Sequence, residues 1–167
     1  TAAPIFSGGV ITLIGDTRIG GGAADSAGGP IYDQITGSHN FDIGATGNSG
    51  SHGNCLVLYN QNNNWSGDTT IVGRTGGSAG NTILRNGTND VIPDGFGMGN
   101  MQLGNSGNTA SLTAWDLNGF NETINGLISI GTVPSLMVIS NNAANALSTL
   151  TIGNNDQSGT FAGVMAG

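Results

Sequence analysis

Apolar residues come in short bursts along this chain, and the stretches between them are rich in Gly, Asn, Ser and Thr. Val10, Thr12 and Ile14 alternate with their neighbours, as do Thr17 and Ile19, which predicts strands broken at Gly15-Asp16. Further strands are expected at 31–35, 41–43, 56–59, 69–72, 82–85, 100–103, 136–139, 149–152 and 160–165. The densest stretch is WDLNGFNETINGLISIGT, 115–132, which reads as strand, turn, strand, turn, strand. Asn118-Gly119 and Asn125-Gly126 are its corners, supplying the left-handed conformations that sharp reversals favour. Asp116 and Glu122 within it read as solvated edge residues.

A helix is hard to place. The best candidate, 141–147, is too short to be stable alone in water. Short bursts and dense Gly/Asn corners favour a parallel β-solenoid over a sandwich or barrel, which carry longer amphipathic strands. At roughly 20–25 residues per coil the chain would make roughly seven coils, in a single domain over 1–167. The asparagine run at 60–64 suggests side chains stacked at one corner, bonding backbone groups of adjacent coils.

Composition narrows the partners. Charged residues make up 8% of the chain, there is no Lys, and the only cations are Arg18, Arg74 and Arg85. A net charge of -7 and a pI near 4.1 argue against nucleic acid or an anionic membrane surface. Cys55 stands alone, so no internal disulfide exists. No apolar run approaches the ~20 residues of a membrane helix. The first residue is Thr and no leader-like stretch is visible, the marks expected of a processed product or an excised segment.

Candidate chemistry is sparse. His39, His52 and Cys55, with Asp42, are the only metal set on paper, but their spacing matches no familiar zinc pattern. Solvated turn residues are the expected reading of both His. Residues 20–30 carry one acid, Asp25, a weak calcium candidate. Ser38, His52 and Asp42 make a triad only on paper, as any loop-rich chain permits. Acids that a glycosidase would pair are dispersed singly: Asp16, Asp25, Asp33, Asp42, Asp68, Asp90, Asp94, Asp116, Glu122 and Asp156. Asp90 and Asp94 share one loop, but Pro93-Asp94-Gly95 explains Asp94 as turn chemistry. Uronate lyases need a base and neutralising cations, which three dispersed Arg do not supply. No phosphate-cradling loop is present. The chain reads as a non-enzyme with no resident cofactor. Trp65, Trp115, Tyr32 and Tyr59 could stack on sugars, although packing is the commoner fate of such residues. Asn64, Asn86 and Asn121 open glycosylation sequons that chance explains in so Asn-rich a chain.

Four stretches resemble successive parts of the autotransporter-associated β-strand repeat family: NNNWSGDTTIV (62–72), VIPDGFGMGNMQL (91–103), WDLNGFNETINGLISIGTV (115–133) and STLTIGNNDQSGTFAGVM (148–165). They run in the family's order, GDTRIGGG (15–22) is also similar, and the section 23–58 is unmatched. Trp65 stands where the family usually has Tyr, and Trp115 where a smaller residue is usual. The resemblance implies a right-handed parallel β-helix secreted by a bacterium or carried on its surface.

Assembly is the remaining expectation. A solenoid exposes a strand edge at each end, and neither terminus here carries a charged or helical cap. Both are apolar and Gly-rich and share Phe6-Ser7-Gly8 and Phe161-Ala162-Gly163. The expected interface is Phe6, Val10, Ile11 and Leu13 on one side and Phe161, Val164 and Met165 on the other. Stacking of this kind is heterologous and gives a homopolymer filament if it does not close. The leading expectation is an extracellular structural or adhesive solenoid, either a filament subunit or part of a larger surface protein. The alternative is a module that binds or cleaves a surface polysaccharide.

Overall fold

The computed structural model describes residues 8–20, 29–44, 54–74 and 80–167. Its sixteen strands pair only in parallel and coil into a three-walled β-solenoid. The first wall begins with β1 (Val10–Leu13), β4 (Gln34–Gly37) and β7 (Asn64–Trp65), and resumes with β12 (Glu122–Ile124) and β15 (Leu150–Ile152). The second wall stacks β2 (Thr17–Ile19), β5 (Phe41–Ile43), β8 (Thr69–Ile71), β10 (Met101–Gly104) and β13 (Leu127–Ile130). The third stacks β3 (Gly29–Ile31), β6 (Asn54–Leu58), β9 (Thr82–Asn86), β11 (Thr113–Asp116), β14 (Met137–Ser140) and β16 (Val164–Ala166). Each step of these ladders pairs residues one turn apart. Turn length varies from 24 residues, Thr17 to Phe41, to 32, Thr69 to Met101.

That length corrects the coil count. A six-stranded third wall corresponds to about five turns, not seven. The strands are as short as expected, but the connections are longer. The stretch 87–100 alone joins β9 to β10. No α-helix occurs among the described residues, and 141–147 forms a turn in which Asn145 has φ 59. Two 3-10 turns, Pro134–Leu136 and Asn154–Asp156, complete the inventory of regular elements.

Parallel stacking puts like positions over like. In the second wall Ile43, Ile71 and Leu103 form one inward column, and in the third Leu56, Leu84, Trp115 and Ile139 form another. All seven are essentially buried. Each such side chain contributes about 1.5–3 kcal/mol of burial free energy, and the narrow core is filled mainly by these columns. The expected strand 31–35 is two strands: the chain bends at Tyr32-Asp33, and the buried Asp33 carboxylate accepts the Gly9 N–H at 2.8 Å. Within 115–132, Asn118 and Gly119 do take left-handed conformations, with φ 50 and 84. Asn125 and Gly126 do not: neither is among the positive-φ residues. Asn125 is instead a fully buried clamp, accepting Gly95 N–H and donating to the carbonyls of Gly95, Met98 and Gly99.

The first wall is interrupted at 90–92, where no strand forms, and side chains bridge the gap. Asn63 accepts the Ile35 N–H at 2.8 Å and donates to the Val91 carbonyl at 2.9 Å. On the other side the Glu122 carboxyl accepts the N–H groups of Val91 and Ile92. Side-chain amide and carboxyl groups thus replace the missing backbone partners, satisfying polar groups that water does not reach.

Candidate functional site

The acids do not converge into a reaction site. Asp116 and Glu122, expected in solvent, are each 1% exposed. Asp116 lies within β11, pairs with Arg85 at 2.9 Å and accepts the N–H groups of Asn118 and Asn142. Glu122 holds three donors, Asn86 Nδ2 at 2.5 Å, Val91 N at 3.1 Å and Ile92 N at 2.8 Å, while Asn86 Oδ1 accepts the indole N–H of Trp115. Burial pushes the Glu122 carboxyl up to about 8, with the three donors pulling against that and nearby Asp90 adding to it. Asp90 and Asp94 have separate partners, Thr123 N and Asn154 Nδ2. Arg18 and Asp42 form a 2.7 Å pair on the outer face of the second wall. Every one of these carboxylates is engaged by the chain's own donors, which positions structure and leaves no acid and base facing one another across a cleft.

Metal and sugar candidates are placed as follows. Among the described residues no three His, Cys, Asp or Glu side chains gather. Cys55 is buried in β6, and His39 lies in a corner 3.8 Å from Asp16. His52, Ser51 and Asp25 lie outside the described residues. Trp65 and Trp115 are core residues with no exposed surface. Tyr32 and Tyr59 stack at a centroid separation of 4.5 Å, and the Tyr59 ring also lies against Gly87. Their faces are occupied by each other and by backbone, leaving edges rather than a flat platform for a sugar. Of the three sequons, Asn86 is fully buried, and the Asn121 side chain accepts the Thr149 N–H.

The corner between the first and second walls is built differently from the others. Asp16 accepts Asn40 N–H at 3.0 Å, Asn40 accepts Asp68 N–H at 2.9 Å, Asp68 accepts Asn100 N–H at 2.7 Å, and Asn100 accepts Gly126 N–H at 2.8 Å. In return, the residue after each of these four donates its N–H to the carbonyl of the next member: Thr17 to Asn40, Phe41 to Asp68, Thr69 to Asn100, Met101 to Gly126. A continuous ladder of side-chain and backbone bonds therefore runs along one edge. Short side chains ending in an oxygen suit it because they reach one strand spacing, about 4.8 Å, and accept an amide N–H. The repeated tripeptides Gly15-Asp16-Thr17 and Gly67-Asp68-Thr69, with Gly99-Asn100 as a third partial copy, carry this signal in the sequence.

Glycines precede the ladder residues for a steric reason. A Cβ on Gly67 would lie 2.4 Å from the His39 carbonyl carbon, and one on Gly99 would lie 2.4 Å from that of Gly67. Backbones at this corner stack too closely for any side chain directed at the preceding coil.

Both ends of the described solenoid are open and apolar. At the first coil Val10 and Ile14 are 61% and 91% exposed. At the last, Ile152, Val164 and Met165 are exposed, and a cleft of about 490 Å³ opens between the loop 141–148 and the final strands, lined by Leu117, Ile139, Leu147, Leu150 and Met165. Of the expected interface residues, Val10, Val164 and Met165 lie on open surface. Ile11 and Phe161 are half-buried against the core, and Leu13 is inside it. Phe6 lies outside the described residues. The third wall presents a blunted edge at the first coil. Ile31 O is taken by Tyr59 N–H, so Pro30, whose polar groups alternate with those of Ile31, faces the free side without an N–H to offer. No family model, curated protein or solved structure matches the chain.

Proposed function

We propose that this chain is an extracellular structural solenoid of a bacterium, either a subunit that stacks end to end into a filament or a segment of a larger surface or adhesive protein. The observation that carries the proposal is the pair of open ends. Val10 and Ile14 at one, and Ile152, Val164 and Met165 at the other, expose apolar side chains beside unpaired parallel strand edges. Such edges pair readily with further strands, and a parallel ladder has a direction, so the first coil of one unit suits the last coil of another. The sequence resemblance to the autotransporter-associated β-strand repeats supports a right-handed coil and a surface location. We assign the chain no catalytic role, because its buried acids serve the ladder and the first-wall seam. Negative-stain electron microscopy of purified protein over a concentration series tests the stacking arm. Filaments one solenoid wide that lengthen with concentration are expected. Dispersed monomers at the highest concentration would count against end-to-end assembly.

A further inference from the structure

We propose that Gly15 and Asp16 are the receiving corner of that end-to-end contact, and that the last coil of a second copy of this chain seats on them. The proposal rests on the stacking arm of the function above and names where the joint is made. In the interior coils Gly67 and Gly99 are required because backbone of the preceding coil lies 2.4 Å from where a Cβ would be. Gly15 occupies the same place in the first coil, before the same Asp-Thr pair. Its own chain gives it no such reason: nothing lies within 4 Å of its Cβ position, and its backbone is not in the left-handed region. The glycine is thus fitted to a coil that one copy does not supply.

Hydrogen bonding points the same way. Asn40, Asp68, Asn100 and Gly126 each donate their N–H to the side chain of the preceding coil. Asp16, the first member, finds no acceptor for its N–H among the described residues. At the other end the column runs past Gly126 to Ser158, whose carbonyl lies 3.1 Å from the Gly126 Cβ position and whose side chain is exposed. A hydroxyl there is an acceptor of the right kind for Asp16 N–H. Pro30 removes a donor from the third wall at the receiving end, so the joint falls on the first and second walls, with this corner between them. Ile14, 91% exposed one residue before Gly15, is covered in the same contact.

The test is Gly15→Ala, compared with the wild-type chain by electron microscopy and light scattering, with urea unfolding measured on both under monomeric conditions. The expected result is an unfolding midpoint unchanged by the substitution, together with a critical concentration for filament growth raised about tenfold or more by overpacking at the joint. Wild-type filaments that Gly15→Ala forms equally well would overturn the receiving corner and leave the stacking function standing. A wild-type chain that stays monomeric overturns both. A lowered unfolding midpoint would show that Gly15 serves its own coil and would overturn the proposal too.

Discussion

Glu122 makes the stability of this solenoid depend on pH in a direction opposite to that of an ion-paired carboxylate. Its carboxyl is 1% exposed and its pKa is raised from 4.5 to about 8 by burial. The folded protein therefore binds the Glu122 proton more tightly than the unfolded chain does. The contribution of this proton is fully present below about pH 4.5 and is lost as pH rises through about 8. At 1.36 kcal/mol per pH unit, the displacement corresponds to a ceiling of about 5 kcal/mol, with a greatest slope of about 1.4 kcal/mol per pH unit. Glu122→Gln removes the titration. Its amide offers one oxygen where the carboxyl offers two, so one of the donors Val91 N, Ile92 N and Asn86 Nδ2 loses its acceptor, at about 1–3 kcal/mol. Urea unfolding followed by the buried Trp65 and Trp115, from pH 5 to 9, reads both effects. Wild type should be the more stable at pH 5, and its advantage should shrink or reverse by pH 9. The histidines and other acids are common to both proteins and cancel in the difference. Parallel stability curves for the two proteins would refute the reasoning.

Two further substitutions separate close packing and buried charge from surface charge. Gly99→Ala drives a Cβ into the Gly67 backbone and should lower stability by about 1–3 kcal/mol in a urea titration, whereas a neutral result would mean the corner has slack. Asp116→Ala removes the partner of Arg85 and the acceptor of Asn118 and Asn142 N–H, all in or beside the buried third wall, and should cost about 1–3 kcal/mol. Arg18→Ala breaks a pair with both partners about a third exposed and should cost under about 1 kcal/mol. Equal effects of these two would show that the Asp116 site is as solvated as the Arg18 pair.

Local pattern was legible in the sequence, and relations across one turn were not. Most expected strands are strands, and the reversal at Asn118-Gly119 was readable because its conformation depends on those two residues alone. Asp116 and Glu122 look solvent-facing in their own segment. Their burial is decided by Arg85, Asn86 and 90–92, which lie one turn away, and a turn that varies between 24 and 32 residues gives no fixed offset to search. The same variation spoiled the coil count and hid the true work of Asn125, whose partners are at 95–99. The corner ladder was half visible. Its repeated Gly-Asp-Thr stands in the sequence, but His39-Asn40 fills one rung without the glycine and disguises the series.

The variation in turn length has a spatial rule. The walls keep their register while the connections from the second wall to the third, 20–28, 44–53, 72–81, 105–112 and 131–136, take up much of the difference. All five leave along one edge of the prism, at successive levels about 4.8 Å apart. That edge is a ruled margin onto which foreign segments can be written: a peptide inserted in any one connection would lengthen a turn without displacing a strand. Copies of a short epitope inserted in all five would stand in a single file at molecular spacing, and stacking of subunits would extend the file.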